Sequence, residues 1–212
     1  GVHRINLNGG DFRDWRDADV NYRGTMRKWP RFVDDFIREQ QITDLILYGD
    51  CRPMHMAAHG MAKLRQINIH VLEEGYIRPN WMTFEPDGVN GNSTLNRDPE
   101  WLLAEAAALP PLPELPPITA SFRRRARDSY WHYHWIVVGK LMFPFYRSHR
   151  PGMIIVEGFG WLHKFRREKH RKAMAERVLA ELDDAPFFLF PLQLSADYQI
   201  RKHSPFPDME SA

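Results

Sequence analysis

The chain has 212 residues, 43% hydrophobic and 26% charged, enough for one large or two small domains with real cores. A formal net charge of +2 makes no general case for nucleic acid as a partner. The single cysteine, Cys51, excludes a disulfide framework and a Cys-rich zinc site and fits a reducing compartment. There is no signal peptide and no apolar run of bilayer length.

Val2 to Leu7 alternate apolar and polar residues and read as a strand that breaks at Asn8-Gly9-Gly10-Asp11. Two adjacent glycines fall short of the three-glycine dinucleotide fingerprint. With no initiating Met, the chain reads as a fragment beginning inside a fold. Phe32, Val33, Phe36 and Ile37 follow a helical period over Trp29 to Gln41, with Pro30 acceptable in the first turn. Thr43 to Tyr48 is an apolar strand leaving through Gly49-Asp50-Cys51-Arg52-Pro53-Met54-His55. Met54 to Gln66 is a helix, and Ile67 to Leu72 is a strand closing on Glu73-Glu74-Gly75-Tyr76-Ile77-Arg78-Pro79. Alternating strands and helices need crossover connections, so the expected class is α/β with a Rossmann-like parallel sheet joining residues 2–7, 44–48 and 67–72. Ligands gather beyond the carboxyl ends of such strands. Asp50, Arg52, His55, Glu74 and Arg78 are therefore expected along one edge, either as a binding site or as carboxylate–arginine pairs fixing the loops.

Asn80 to Pro99 reads as loop, and Pro110, Pro111, Pro113, Pro116 and Pro117 make a semi-rigid connector after which helix is expected to resume. Ser121 to Met142 opens with Arg123, Arg124, Arg125 and Arg127 and continues with Tyr130, Trp131, Tyr133 and Trp135. That mixture suits an interfacial membrane helix or base stacking, but packed aromatics with a solvated arginine face explain it more simply. Trp161 to Leu182 is a further helix. Phe187 to Leu192 then reads as a buried strand running into Gln193, Asp197, Arg201, Lys202 and His203. The expected domains are a Rossmann-like unit over 1–109, a connector over 110–120, a helical segment over 121–182, and the start of a donor-binding domain over 183–212. His132 with His134, and His163 with His170, lack the clustering of a metal site, so no metal is expected. No serine-hydrolase elbow or phosphate-binding loop is present.

Four stretches together, Ile5 to Asp11, Tyr48 to Pro53, Glu73 to Pro79, and Pro191-Leu192-Gln193 with Asp197, resemble the bacterial capsule polysaccharide biosynthesis and export family. The most specific parts are the Glu-Glu-Gly-Tyr-x-Arg-Pro segment and the glutamine motif, and the likeness spans nearly the whole chain. Members are similar to retaining β-Kdo transferases, which move 3-deoxy-D-manno-oct-2-ulosonic acid (Kdo) from CMP-Kdo to a lipid-linked acceptor. The resemblance implies a partial GT-B-like fold, with the first strand–helix unit and most of the second domain missing, so the fragment alone is expected to be inactive. The family's His-Pro pair is absent, because His203 is followed by Ser204.

By that resemblance Gln193 matches the motif glutamine and Asp197 the nucleophile. A carboxylate that displaces CMP and is then displaced by the acceptor hydroxyl gives retention through two inversions. The Kdo carboxylate and the phosphate leaving group need cations, for which Arg201, Lys202, Arg52 and Arg78 are candidates. Glu74 or Asp50 would serve as base, while His55, Asn8, Gly9 and Gly10 join the substrate-binding set. The implied partners are a nucleotide-sugar donor, a lipid-linked or glycolipid acceptor and the inner face of the bacterial inner membrane, with no cofactor and a cytoplasmic location. Two alternatives stand beside this: a non-catalytic glycan-binding protein of capsule export, and a GT-B-like enzyme using a UDP-sugar.

Overall fold

The computed structural model describes residues 1–17, 20–75, 81–111, 121–148, 154–182, 188 and 197–206. The chain divides into two compact units, Gly1–His149 and Arg150–Ala212.

In the first unit, β1 (Ile5–Asn6) is followed at once by α1 (Gly9–Asp14). A loop was expected there, but the Asn8 side chain caps a short helix by accepting from the backbone of Gly10 and Asp11, the usual work of Asn at this position. β2 (Val20–Asn21) pairs with β1 in parallel, and Asn6 Nδ2 donates to Asn21 Oδ1 at 3.0 Å. α2 (Trp29–Glu39) comes next, its stripe of Trp29, Val33 and Ile37 buried. β3 (Asp44–Tyr48), α3 (Pro53–Leu64) and β4 (Asn68–Glu74) then form the crossover unit that the alternating pattern predicts. β3 and β4 are parallel, Asp44 opposite Asn68 and Tyr48 opposite Leu72.

β5 (Met82–Pro86) lies antiparallel to β4. The class is α/β with a parallel pairing, as expected, but its sheet differs in two ways. The β1–β2 ribbon is separate from the three-stranded sheet β3–β4–β5, so residues 2–7 are not a third strand beside 44–48 and 67–72. β1 is cut to two residues because α1 starts immediately behind it. Second, residues 82–86 form a strand where a loop was expected, since Pro86 ends β5 at the sheet margin, where a missing N–H is tolerated.

Trp29, Val33 and Ile37 of α2, with Tyr22 and Ala58, make the main core, and Ala62, Ile69, Val71 and Val89 a second cluster. Burying each of the Val and Ile side chains among them is worth roughly 1.5–3 kcal/mol. Strand alternation puts Leu45, Leu47, Ile69 and Val71 on the covered face and Ile46, Tyr48, Met82 and Phe84 on the exposed one.

α4 (Pro99–Ala108) is a helix before the proline-rich stretch, against expectation. Asp98 caps it and Pro99 sits at its first position, a start signal strong enough to outweigh the turn-rich residues ahead of it. α5 (Phe122–Val138) runs into a 3₁₀ turn at Gly139–Leu141, with Ile136 and Phe143 buried.

The second unit contains α6 (Ile154–Leu182) and α7 (Tyr198–His203). α6 begins seven residues before the expected start at Trp161, since Gly158 and Gly160 lie within the helix. The expected strand 187–192 falls outside the described residues except for Phe188, whose side chain is exposed. No helix among the described residues is long and apolar enough to cross a membrane.

Candidate functional site

Because β3 and β4 run parallel, their carboxyl ends lie at one edge of the sheet, and the loop after β3 is pinned there by Gly49 N donating to Leu72 O at 2.7 Å. Gly49 has φ +73, the left-handed region that glycine tolerates best. A Cβ there would also stand 3.0 Å from Glu73 Oε2.

Asp50 is buried. Its carboxylate accepts from Asn92 Nδ2 at 2.9 Å, Cys51 Sγ at 3.2 Å and Val89 N at 3.2 Å. Burial pushes its pKa up, but these hydrogen bonds outweigh it and hold the carboxyl below its ordinary value. Such a group ties the loop after β3 to the turn after β5. The expected carboxylate–arginine pair with Arg52 is not what holds Asp50, whose donors here are an amide, a thiol and a backbone N–H.

Arg52 occupies the position before α3 without a side-chain capping bond, and Pro53 takes the first helical position. Its guanidinium lies 5.9 Å from the centre of the Tyr48 ring, and among the described residues it forms no ion pair. One turn into α3, His55 Nδ1 is 2.7 Å from Gly49 O. A carbonyl only accepts, so Nδ1 carries the proton and Nε2 is left as a lone pair. Burial is the main cause that lowers the pKa of His55, and Arg52 adds to it, against the carbonyl contact, Asp11 and Asp50.

Asp11 reaches this cluster from α1. Its Oδ2 accepts from Leu7 N at 3.0 Å and Asn8 Nδ2 at 2.9 Å, which fixes the carboxylate at the helix start. Tyr146, after α5, completes the group. Burial raises the pKa of its phenol, Asp11 and Tyr133 push the same way, and Arg52 and a hydrogen bond with Ser148 oppose them. Asp11 and Arg52 thus act electrostatically on both His55 and Tyr146. This places the ends of β1 and β3 and the segment after α5 around one polar site.

Asn8, Gly9 and Gly10, expected to bind substrate, have structural work at the start of α1. A Cβ on Gly9 would come within 2.0 Å of Trp135 O and 2.9 Å of the Gly139 Cα. One on Gly10 would come 2.6 Å from the His132 ring. The paired glycines let α1 lie directly against α5.

Glu74 ends β4 on the exposed face, whereas Glu73 alternates with Val71 and Ile69 on the covered face and reaches Gly49. Of the two acids, Glu73 stands beside the site, a residue the reading of the sequence passed over. The parity of the strand is the signal that could have found it. Asp11 and Tyr146 were missed as well, and Tyr146 carries no local signal.

Arg78 and Gln193 lie outside the described residues. In the second unit Asp197 caps α7, its Oδ1 accepting from Gln199 N at 2.9 Å, and the carboxylate is exposed. Arg201 and Lys202 follow in the last turn of the same helix, where cations favour the helix dipole. Among the described residues no three His, Cys, Asp or Glu side chains form a group that could hold a metal ion.

A Rossmann-like α/β unit with a polar, cation-bearing cluster beyond its strand ends is a frame for binding an anionic ligand. The sequence model of the family described as capsule polysaccharide biosynthesis protein matches residues 43–212, and the chain belongs to that family. It is 32% identical over 217 residues to the Escherichia coli protein called capsule polysaccharide export protein KpsS, covering 99% of this chain and 55% of that protein. It is 29% identical over 219 residues to the capsule polysaccharide modification protein LipB of Neisseria meningitidis serogroup B, covering 99% of this chain and 52% of that protein. The chain spans about half the length of the curated relatives it matches. No solved structure matches it.

Proposed function

We propose that the protein is a glycosyltransferase of capsule polysaccharide assembly that moves Kdo from CMP-Kdo to a lipid-linked acceptor with retention. The observation that carries the reading is the gathering of Arg52, His55, Asp11 and Tyr146 at strand ends, in a chain of the capsule family. Arg52 has no carboxylate partner among the described residues, so its guanidinium is available to the carboxylate or phosphate that donor and acceptor bring. The likeness to retaining Kdo transferases at the glutamine motif supplies the rest. Asp197 attacks the anomeric carbon and the bond to the CMP phosphate oxygen breaks. The acceptor oxygen then displaces the Asp197 carboxylate, restoring the original anomeric configuration. Arg201 and Lys202 neutralise charge on the donor, and Gln193 helps to hold it by hydrogen bonding.

The test is to give the full-length protein CMP-Kdo with a lipid-linked acceptor and measure CMP release and product together. Coupled release and a β-linked product support the reading. Turnover of a UDP-sugar with none of CMP-Kdo would replace the donor. A second reading, capsule export by glycan binding without turnover, is favoured by the word "export" in the name of the Escherichia coli relative. It expects glycan binding with no CMP release.

A further inference from the structure

We infer that the outer face of α5 is a membrane-binding surface that seats the protein on a bilayer of anionic lipid. The inference goes beyond the transferase reading and does not depend on it, since a glycan-binding export protein would use the same face. Arg123, Arg127, Tyr130, His134 and Val137 follow one another at spacings of three and four, continue to Leu141 in the 3₁₀ turn, and are all exposed. The opposite side of the helix is the one that packs. Trp135 O and Gly139 meet Gly9, the His132 ring covers Gly10, and Ile136 is buried. Of the aromatic residues expected to pack, Tyr133 and Trp135 are half-buried, but Tyr130 and Trp131 are 62% and 41% exposed. Packing within the first unit therefore does not account for those two.

The order of chemistry along this face names its occupant. Arginines come first, then the rings of Tyr130, Trp131 and His134, then Val137, Val138 and Leu141. Phosphate, interface and acyl chain are met in that order on entering a bilayer. Asp128, the one acid of α5, pairs with Arg124 and Arg127 at 3.8 and 3.2 Å. Arg123 and Arg125 form no ion pair among the described residues and can meet lipid phosphates. Lys140, beside Leu141, has a stem long enough to keep its ammonium among the headgroups. Base stacking fits this face less well, because the rings are engaged with one another. Tyr130 stacks on His134 with centroids 6.0 Å apart, and Trp131 makes T-shaped contacts with both, while the aliphatic side chains beyond them offer a nucleic acid nothing. The helix is not apolar enough to span a bilayer, so the contact is interfacial. On the transferase reading, lipid on the outer side of α5 would hold α1 and its Asp11 at the surface where a lipid-linked acceptor lies.

Flotation of the full-length protein with vesicles of equal parts phosphatidylglycerol and phosphatidylcholine tests this, with phosphatidylcholine alone as the neutral arm. Binding to the anionic vesicles and much weaker binding to the neutral ones are expected. Arg123→Gln with Arg125→Gln should weaken binding by about 25-fold, from about fivefold per arginine at the surface. Arg27→Gln with Lys28→Gln removes the same charge from an exposed turn elsewhere and should leave binding near the wild-type level. Tyr130→Ser with Trp131→Ser keeps the charge and should abolish the binding that survives high salt, since apolar insertion is not screened. No binding to anionic vesicles, equal losses in the two charge variants, or full salt-resistant binding by the aromatic variant overturns the inference. The replaced side chains of α5 are exposed, so both variants should melt with the wild type. Should either fold poorly, the wild-type protein decides: anionic vesicles should slow tryptic cleavage at Arg123, Arg125 and Arg127, and unchanged cleavage overturns the inference. Turnover is read in none of these arms, so failure here leaves the transferase reading standing.

Discussion

His132 Nδ1 stands 2.7 Å from Asp14 Oδ2, joining α5 to the end of α1 across 118 positions of sequence. The same ring covers Gly10, so one histidine both fills the space left by a missing side chain and anchors the helix that supplies Asp11. Both partners are about a third exposed, 31% and 39%, and solvent screening limits what the pair contributes. A double-mutant cycle with Asp14→Asn and His132→Gln should return a coupling of about 0.2–1 kcal/mol. A value of zero in denaturant melts would mean that the helices are held by the glycine contact alone.

Gly9→Ala puts a methyl group into backbone of α5, which cannot rotate away. Destabilisation of about 1–3 kcal/mol is expected, the range for overpacking. Gly60→Ala is the matched control. That position lies inside α3 with nothing within 4 Å of the added Cβ, so the same substitution should stabilise by about 0.5–1 kcal/mol. Chemical denaturation of both variants measures the contrast, and equal shifts would contradict the packing described.

Stability should depend on pH in two windows. The pKa of His55 is lowered in the folded protein from 6.5, so as pH falls through that value the unfolded chain takes up a proton that the folded one resists, and stability drops. Asp50, lowered from 3.8, contributes stability that is present above its unfolded pKa and lost as pH falls through the folded one. His55→Asn should flatten the first window and Asp50→Asn the second. Asp50→Ala should also cost about 1–3 kcal/mol at pH 7, because Val89 N and Asn92 lose a buried acceptor. Melts at pH 7, 5 and 3 test all three.

Asp197 has an observed duty as a helix cap and a proposed one as nucleophile, and Asn separates them. Asn caps helices as well as Asp does, so Asp197→Asn should leave thermal stability and donor binding intact while transfer falls by several orders of magnitude. Asp197→Ala should lose both. Near-normal transfer by the Asn variant would end the nucleophile assignment.

The α/β class and the helix–strand–helix–strand run from Trp29 to Glu74 were legible because α2 carries a clear 3.6 period, β3 holds the apolar run Leu45 to Leu47 and β4 alternates around Ile69 and Val71. Asp50, Arg52 and His55 share one segment, so their grouping was legible at once, while of the residues expected to join them from the next loop Glu74 ends β4 on the exposed face and Arg78 lies outside the described residues. Other features were hidden for separate reasons. Asn8 ends a strand and caps a helix with the same side chain, so the break was visible and the helix was not. β5 is short and polar-flanked, and its partner β4 supplies the order it lacks by itself. The Gly9–Gly139 approach and the Tyr146 position depend on tertiary packing, which no local window contains.

The pairing of Glu73 and Glu74 has an arithmetic side. Since strand faces alternate with period two, the acid beside Gly49 is selected by parity, and the Gly49–Leu72 hydrogen bond sets that parity. Moving the register of β4 by one residue would leave composition and charge untouched yet exchange the two carboxylates between the covered and exposed faces. A one-residue insertion between Gln66 and Asn68 would be absorbed before the strand begins, whereas a deletion at Val71 would bring Glu74 to the place that Glu73 now holds. The doubled acid thus makes this edge tolerant of a slip in one direction only, because shortening the strand brings Glu74 beside Gly49 whereas lengthening it brings Leu72.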